Sequence, residues 1–369
     1  MQAELQALTS NNTWSIVDLP PGKIHLDVDG CTRLSIRLMA VLKVRVLLAI
    51  DATRGWHLEQ LKVNNVFLHG DLNEESQADH SLYTKSTAKS FTALLVYVDD
   101  IVLAGNSLKE IAHVKHLLDQ KFRIKDLGAL RFFLGFEISR YDAGIFFNQR
   151  KYTLELLEDT SYFAAKPSHV PYDPTLKLTT TDGDLLSKPA TYRRLVGRLV
   201  YLTNSRPDIS YAVQNLSQYV SQPRAPHLKD ANRILRYLQA CPAKGILFSS
   251  SSQFQLYGFV DSDWARCSET RKSITSFCVM MGDSTICWKS KKQQTVSRSS
   301  TEVEYRALAS LTFELQWLQY LFADLQVQFS KPASVFYDSK SAIHLAHNPT
   351  FHERNKHIEL DCHVIREKL

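Results

Sequence analysis

The sequence contains no Cys-x-x-Cys pair: its six cysteines, Cys31, Cys241, Cys267, Cys278, Cys287 and Cys362, follow no regular spacing. That excludes a finger-type zinc motif and a disulfide-stapled scaffold, and it makes a reducing intracellular setting, cytoplasm or nucleus, the expected one. Glycine and proline are scarce, 13 and 12 in 369 residues, which excludes collagen-like and low-complexity classes. Long apolar runs are absent too. The most apolar early stretch, 38–50, is broken by Lys43 and Arg45 and is too short for a bilayer span, so it reads as a buried, helical element. Met1-Gln2-Ala3-Glu4-Leu5 has no basic segment ahead of an apolar one, so neither a signal peptide nor a membrane partner is expected. What is present is ordinary for a soluble globular chain of two or three domains: 44% hydrophobic and 22% charged residues. A formal charge of +6 suits a nucleic-acid partner without requiring one.

No internal repeat is visible along the chain. Gln2 to Leu8 is helix-like, and Asp27-Val28-Asp29-Gly30 has the composition of a turn. Leu94 to Val98 and Ile101 to Ala104 are apolar runs flanking Asp99-Asp100, the pattern of a hairpin with two acids at its tip. A helix is expected over Leu108 to Phe122, then short strands near Phe132 to Ile138 and Ile145 to Phe147. Ser168 to Asp184, rich in Pro, Thr and Asp, reads as a linker. Helices broken at Arg206-Pro207-Asp208 and at Gln222-Pro223 follow it, and the serine run 249–252 marks a second boundary.

Beyond that boundary the expected order is a strand at Phe254 to Asp261, a hairpin of Ser273 to Met280 and Ser284 to Trp288, and a helix at Thr301 to Phe322. A strand at Ser334 to Asp338 and helices at Ser339 to Ala346 and His357 to Lys368 complete it. Three carboxylates stand out. Asp261 and Asp338 each close an apolar strand, and strand ends form the rim where α/β sheets bind ligands. In the long helix, Leu308, Leu311, Leu315, Leu318 and Phe322 make a core-facing stripe, and one turn before Leu308 stands Glu304. An acid on a buried face is costly unless it is paired or binds a metal. Glu302 falls on another side and reads as a first-turn carboxylate, within a Ser299-Ser300-Thr301-Glu302 capping box. Three converging carboxylates can hold magnesium or manganese through hard oxygens, and a two-ion site of that kind supports phosphodiester hydrolysis. Lys289, Lys291, Lys292 and Arg298 lie just upstream, where they can grip a phosphate backbone. Ordinary surface acids and a solvated charge run are the plain alternative.

Asp261-Ser262-Asp263-Trp264-Ala265, Ser299-Ser300-Thr301-Glu302-Val303-Glu304-Tyr305, Asp338-Ser339-Lys340-Ser341-Ala342 and Lys356-His357-Ile358-Glu359 together resemble the RNase H of copia-class LTR retrotransposons. The resemblance implies an RNase H fold, Asp261, Glu304 and Asp338 as metal ligands, and action on an RNA–DNA hybrid. It also implies a fourth acid after a fifth strand. Glu359 and Asp361 belong to the helix before that strand, so with the chain ending at Leu369 the fifth strand, last helix and fourth acid are expected to be absent.

Upstream, Phe91 to Asn106, with Tyr97-Val98-Asp99-Asp100, resembles the polymerase hairpin of copia-class reverse transcriptases, and Trp56 to Leu68 resembles the strand bearing their first catalytic Asp. By that resemblance Asp99 and Asp100 are polymerase acids and Asp99 a metal ligand. Lys62 stands at the position of the first Asp, and an ammonium there repels a metal ion, so polymerase activity is expected to be lost. Asp99 follows Glu75 by only 24 positions, where the family has a much longer substrate-contacting segment. The resemblance resumes through Arg123 to Gly128 and Tyr192 to Gly197.

The expected fold class is α+β: a degenerate reverse transcriptase fingers and palm region over 1–165, a helical thumb or connection over 166–252, and a C-terminally truncated RNase H-like α/β domain over 254–369. The expected partner is an RNA–DNA hybrid or other nucleic acid. The alternative is a non-catalytic nucleic-acid-binding remnant. His344, His347, His352, His357 and His363 with Cys362 match no zinc spacing and read as solvated helix residues.

Overall fold

The computed structural model describes residues 29–63, 81–122, 124–267, 269–339 and 365, with side chains from Met39 onward. The expected helix at Gln2 to Leu8, those at 340–346 and 357–368 apart from the helical Ile365, the acids Glu359 and Asp361, and the five histidines with Cys362 lie outside the described residues.

The first helix, α1 (Asp29–Arg54), takes in Asp29 and Gly30, which composition alone assigned to a turn. Its 41–50 stretch is buried throughout, Lys43 and Arg45 included. The Lys43 ammonium donates to Ser81 Oγ at 2.7 Å. The Arg45 guanidinium lies 4.1 Å over the Trp288 ring, and burial lowers its pKa to about 10.

Strands β1 (His57–Val63), β2 (Leu82–Ser86), β3 (Phe91–Tyr97), β4 (Asp100–Gly105) and β5 (Ile124–Ala129) form an antiparallel sheet in the order β2-β3-β4-β1-β5. One face of it packs into a core with α1 through Trp56, Phe91, Leu95 and Val102. The other packs Leu61, Leu94, Ile101 and Leu103 against Ile111 and Leu118 of α2 (Leu108–Phe122). Burial on both faces explains why β3 and β4 read as unbroken apolar runs.

Strands β6 (Phe132–Phe133), β7 (Phe136–Tyr141) and β8 (Gly144–Asn148) make a second sheet, completed by β9 (Ile246–Ser249) about a hundred residues later in the chain. Between β8 and β9 stand α3 (Arg150–Asp159), α4 (Pro189–Leu202), a 3-10 turn (Pro207–Ile209), α5 (Ser210–Ser217) and α6 (Ala225–Ala240), which share their own apolar core. Arg206 fixes the break between α4 and α5: fully buried, it donates to both Asp208 carboxylate oxygens and to the Cys241 carbonyl. The segment 168–184 has no regular structure, as expected of a linker, but it is packed down. Leu178 is buried, and the Thr179 carbonyl bonds the His227 ring at 2.9 Å. The serine run is likewise a packed junction, with Ser252 buried and donating to the Met281 carbonyl at 2.7 Å.

The last sheet holds β10 (Leu256–Asp263), β11 (Ile274–Met281), β12 (Ser284–Lys292) and β13 (Ser334–Phe336) in the order β12-β11-β10-β13. Only β13 runs parallel to its neighbour, because the long helix α7 (Ser300–Asp324) carries the chain back across the sheet before it. Gly258 makes the close approach of α7 possible: a Cβ there would stand 2.9 Å from Leu311 Cδ2.

Candidate metal centre

Helix α7 starts with its free backbone groups held by its own side chains. Ser299 Oγ accepts from the Glu302 N–H at 3.2 Å, and Glu302 Oε2 accepts from the Arg298 N–H at 2.8 Å, one residue earlier than a regular capping box. Glu302 is therefore more than a solvated first-turn acid: it is 5% exposed and ion-paired with Arg306, one turn on, at 2.8 Å. Glu304, about 200° further round the helix, has no such counter-charge on its own element. The stripe Leu308, Leu311, Leu315, Leu318 and Phe322 is buried, as its spacing requires, and it sets the phase that carries Glu304 onto the sheet side.

The two strand acids arrive by register. Phe259 of β10 pairs in parallel with Phe336 of β13, so Asp261 and Asp338, each two residues further on, emerge side by side. Asp261 is not the end of its strand: β10 continues to Asp263, and Asp261 stands opposite Ser276 of β11. Asp338 lies two residues beyond the end of β13. One carboxylate oxygen from each of Asp261, Glu304 and Asp338 lies within 4.8 Å of the others; among the described residues no other three such ligands converge.

Burial raises the pKa of the Glu304 carboxyl, and the charges of Asp261 and Asp338 push it the same way. The neighbouring Ser262 and Tyr337 hydroxyls lie close enough to oppose that rise. Glu304 Oε2, Ser262 Oγ and Tyr337 OH are all buried without a hydrogen-bond partner. A buried carboxylate oxygen with two acids facing it is costly, and a divalent cation would remove that cost. Three hard anionic oxygens of this kind fit magnesium or manganese. Sequence reasoning missed Ser262, Tyr337 and the role of Gly258, although a glycine inside an apolar strand is the usual mark of a close helix contact.

The acids of the β3–β4 hairpin are arranged differently. Val98, at φ +54°, and Asp99 form the turn, whereas Asp100 is the first residue of β4 and not part of the tip. Lys62 of β1 is the register partner of Asp100, and its Nζ lies 2.9 Å from Asp99 Oδ2. The Asp99 bond and charge raise the Lys62 pKa, which keeps the ammonium charged. Asp100 has its own pKa raised by burial and by Asp99, and it accepts a long 3.4 Å bond from Gln60 Nε2. A cation, the Lys62 ammonium, is thus already built into this pair.

The expected basic grip is also divided. Lys289 and Lys291 are exposed and share one face of β12, opposite Phe277 and Thr275. Lys292 faces the other way and is engaged, donating to Gln218 Oε1 and Cys267 Sγ, each at 2.9 Å. Arg298 is exposed at the α7 entrance. Among the described residues no helix is long and apolar enough to cross a membrane.

Residues 74–174 match the family described as reverse transcriptase (RNA-dependent DNA polymerase). The whole chain aligns at 33% identity with 31% of a retrovirus-related Pol polyprotein from transposon RE1 of Arabidopsis thaliana. It also aligns at 30% identity, over 65% of its own length, with 79% of a putative transposon Ty5-1 protein of Saccharomyces cerevisiae. An uncharacterized mitochondrial protein of Arabidopsis thaliana is 40% identical over 61% of the chain and 93% of its own length. The chain thus spans about 31% of the Pol polyprotein, yet that alignment runs over 453 positions against 369 residues here, so the polyprotein carries additional residues inside the aligned region. With a reverse transcriptase match, full-length similarity to Pol polyproteins and high coverage of a transposon protein, the chain belongs to the copia-class retrotransposon Pol polyproteins.

Proposed function

We propose that the C-terminal sheet and α7 act as an RNase H-like, divalent-cation-dependent site on RNA–DNA hybrid, while the β3–β4 hairpin is an inert polymerase remnant. The observation that carries this reading is the approach of Asp261, Glu304 and Asp338 within 4.8 Å, with Glu304 Oε2 left unpartnered. The strand order, with a parallel fourth strand after a long helix, supports an RNase H-like arrangement over 254–369. Magnesium or manganese, when bound, would supply the charge that stabilises phosphodiester hydrolysis. The protein's part is to hold the ion: Asp261 and Asp338 from the sheet and Glu304 from the helix, with Gly258 setting how near the helix stands. Exposed Lys289, Lys291 and Arg298 serve the phosphate backbone of the substrate.

In the palm, Lys62 supplies the positive charge where polymerase chemistry needs a metal. A second reading, a nucleic-acid-binding remnant without catalysis, draws on the same ion pair as a sign of lost function. Single-turnover cleavage of a labelled hybrid with magnesium or manganese, alongside primer extension on an RNA template, decides between them. Cleavage without extension supports the proposal. Binding without either leaves the remnant, and extension abolished by Asp99→Asn contradicts the palm assignment.

A further inference from the structure

Between the segment 172–178, helix α5 and the turn after β10 lies a cavity of about 310 Å³. Lys177, Arg266 and Arg271 line it, and no carboxylate residue does. The Arg266 guanidinium is held in place by two phenols, Nε donating to Tyr211 OH at 3.1 Å and Nη2 to Tyr172 OH at 2.8 Å. These bonds use two of its five N–H donors. The two tyrosine rings meet edge to face at 5.0 Å, and the 54% exposed Trp264 adds an indole face. Three cations with no carboxylate in the lining, set among aromatic faces, match a phosphate with an attached base.

The cavity shares a wall with the groove of the acid centre. Tyr211 lines both it and a wider groove of about 710 Å³ that includes Asp261 and Asp338. On the floor of that groove Phe259 and Phe336 are exposed and stacked, ring centroids 4.9 Å apart.

We propose that this cavity is a second nucleic-acid contact, binding a phosphate-bearing nucleotide unit without any metal. The binding itself is independent of the hydrolytic reading; only the assignment of the ligand to a strand running on to Asp261 and Asp338 rests on it.

Cys267 lines the same cavity and can report on occupancy. Its thiol accepts from Lys292 Nζ at 2.9 Å. Burial alone would raise its pKa, but Lys292, the Thr270 hydroxyl and the Glu269 and Thr270 backbone N–H groups outweigh that and bring it to about 7. A thiol of that kind is alkylated readily at neutral pH.

The test uses the full chain in EDTA, with a fluorescein-labelled single-stranded oligonucleotide and, separately, inorganic phosphate. Peptide-mapped iodoacetamide labelling of Cys267 and the salt dependence of oligonucleotide binding are read together. Bound oligonucleotide should slow Cys267 labelling several-fold. The exposed pair Lys177→Gln/Arg271→Gln should abolish that protection and flatten the log–log salt slope by about 1.4, two single-strand phosphate contacts at ~0.7 each. Lys151→Gln/Lys166→Gln, an equal change of charge at exposed sites elsewhere, should alter neither. Protection by the oligonucleotide alone identifies a strand; protection by phosphate as well identifies a site open to the free anion. Glu304→Gln should keep the protection while losing magnesium-dependent hydrolysis, which separates this claim from the hydrolytic one. Oligonucleotide that binds while Cys267 reacts at its free rate, with phosphate equally without effect, would overturn the inference.

Discussion

Among the described residues two clusters of acids stand beside sheets, and they solve the same electrostatic problem in opposite ways. At the β3–β4 hairpin the charge of Asp99 is met from within, by Lys62 at 2.9 Å. At the C-terminal sheet, Asp261, Glu304 and Asp338 converge from three elements with no cation beside Glu304 Oε2, which is buried and unpartnered. An acid pair with its own lysine has no need of a metal, whereas an acid triad without one stays strained until a cation arrives. The clusters should therefore part company in every experiment that adds or removes positive charge.

The largest difference is expected in catalysis. Glu304→Gln should lower magnesium-dependent hybrid cleavage by at least about 10³-fold, because a ligand of the triad is lost, whereas Asp99→Asn should leave the cleavage rate within about twofold. Single-turnover rates on a labelled hybrid check both, and equal losses would erase the contrast.

Packing gives the next effect. Gly258→Ala puts a methyl group 2.9 Å from Leu311 Cδ2, against a helix that cannot recede without taking Glu304 with it. A destabilisation of about 1–3 kcal/mol is expected, measured by urea unfolding, together with weaker cation binding.

The pH dependence is smaller and has a definite sign. Glu304 has a raised pKa in the folded chain, so without metal the folded state binds that proton more tightly than the unfolded state. The stabilising contribution is present below the ordinary glutamate value and is lost as pH rises from there through the raised value. Magnesium should restore stability above that window, and Glu304→Gln should flatten the profile. Thermal unfolding between pH 4 and 8 with EDTA or magnesium measures it; an unchanged profile in the variant would show that another group titrates.

The smallest effect belongs to the β3–β4 hairpin. Lys62→Met removes an exposed ion pair and should leave the unfolding midpoint unchanged, while NMR titration should find the Asp100 carboxyl, already raised by burial and Asp99, raised further.

How much of this was legible in the sequence follows from burial. Strands β3 and β4, covered on both faces, read as apolar runs. Helix α2 has the expected ends at Leu108 and Phe122, and the α7 stripe fixed the phase of Glu304. The edge strands β2 and β5 were not legible: Lys85, Lys125 and Asp126 interrupt any apolar alternation, as charged residues on sheet edges do. Strand β9 was missed because its partner β8 lies about a hundred residues upstream. Asp261 and Asp338 could be named from strand patterns, but the parallel register that sets them together is a tertiary fact. Glu302 was misjudged because its partners, Arg306 and the Arg298 N–H, are invisible to a helical-wheel argument about one side chain. The place of Lys62 came from resemblance; its bond to Asp99 needed the structure.

Calorimetric titration of the full chain with manganese, repeated on Glu304→Gln and on Asp99→Asn, tests the central claim most directly. The account predicts binding in the unmodified chain and in Asp99→Asn, and its loss in Glu304→Gln. Binding that survives Glu304→Gln and disappears in Asp99→Asn would contradict it.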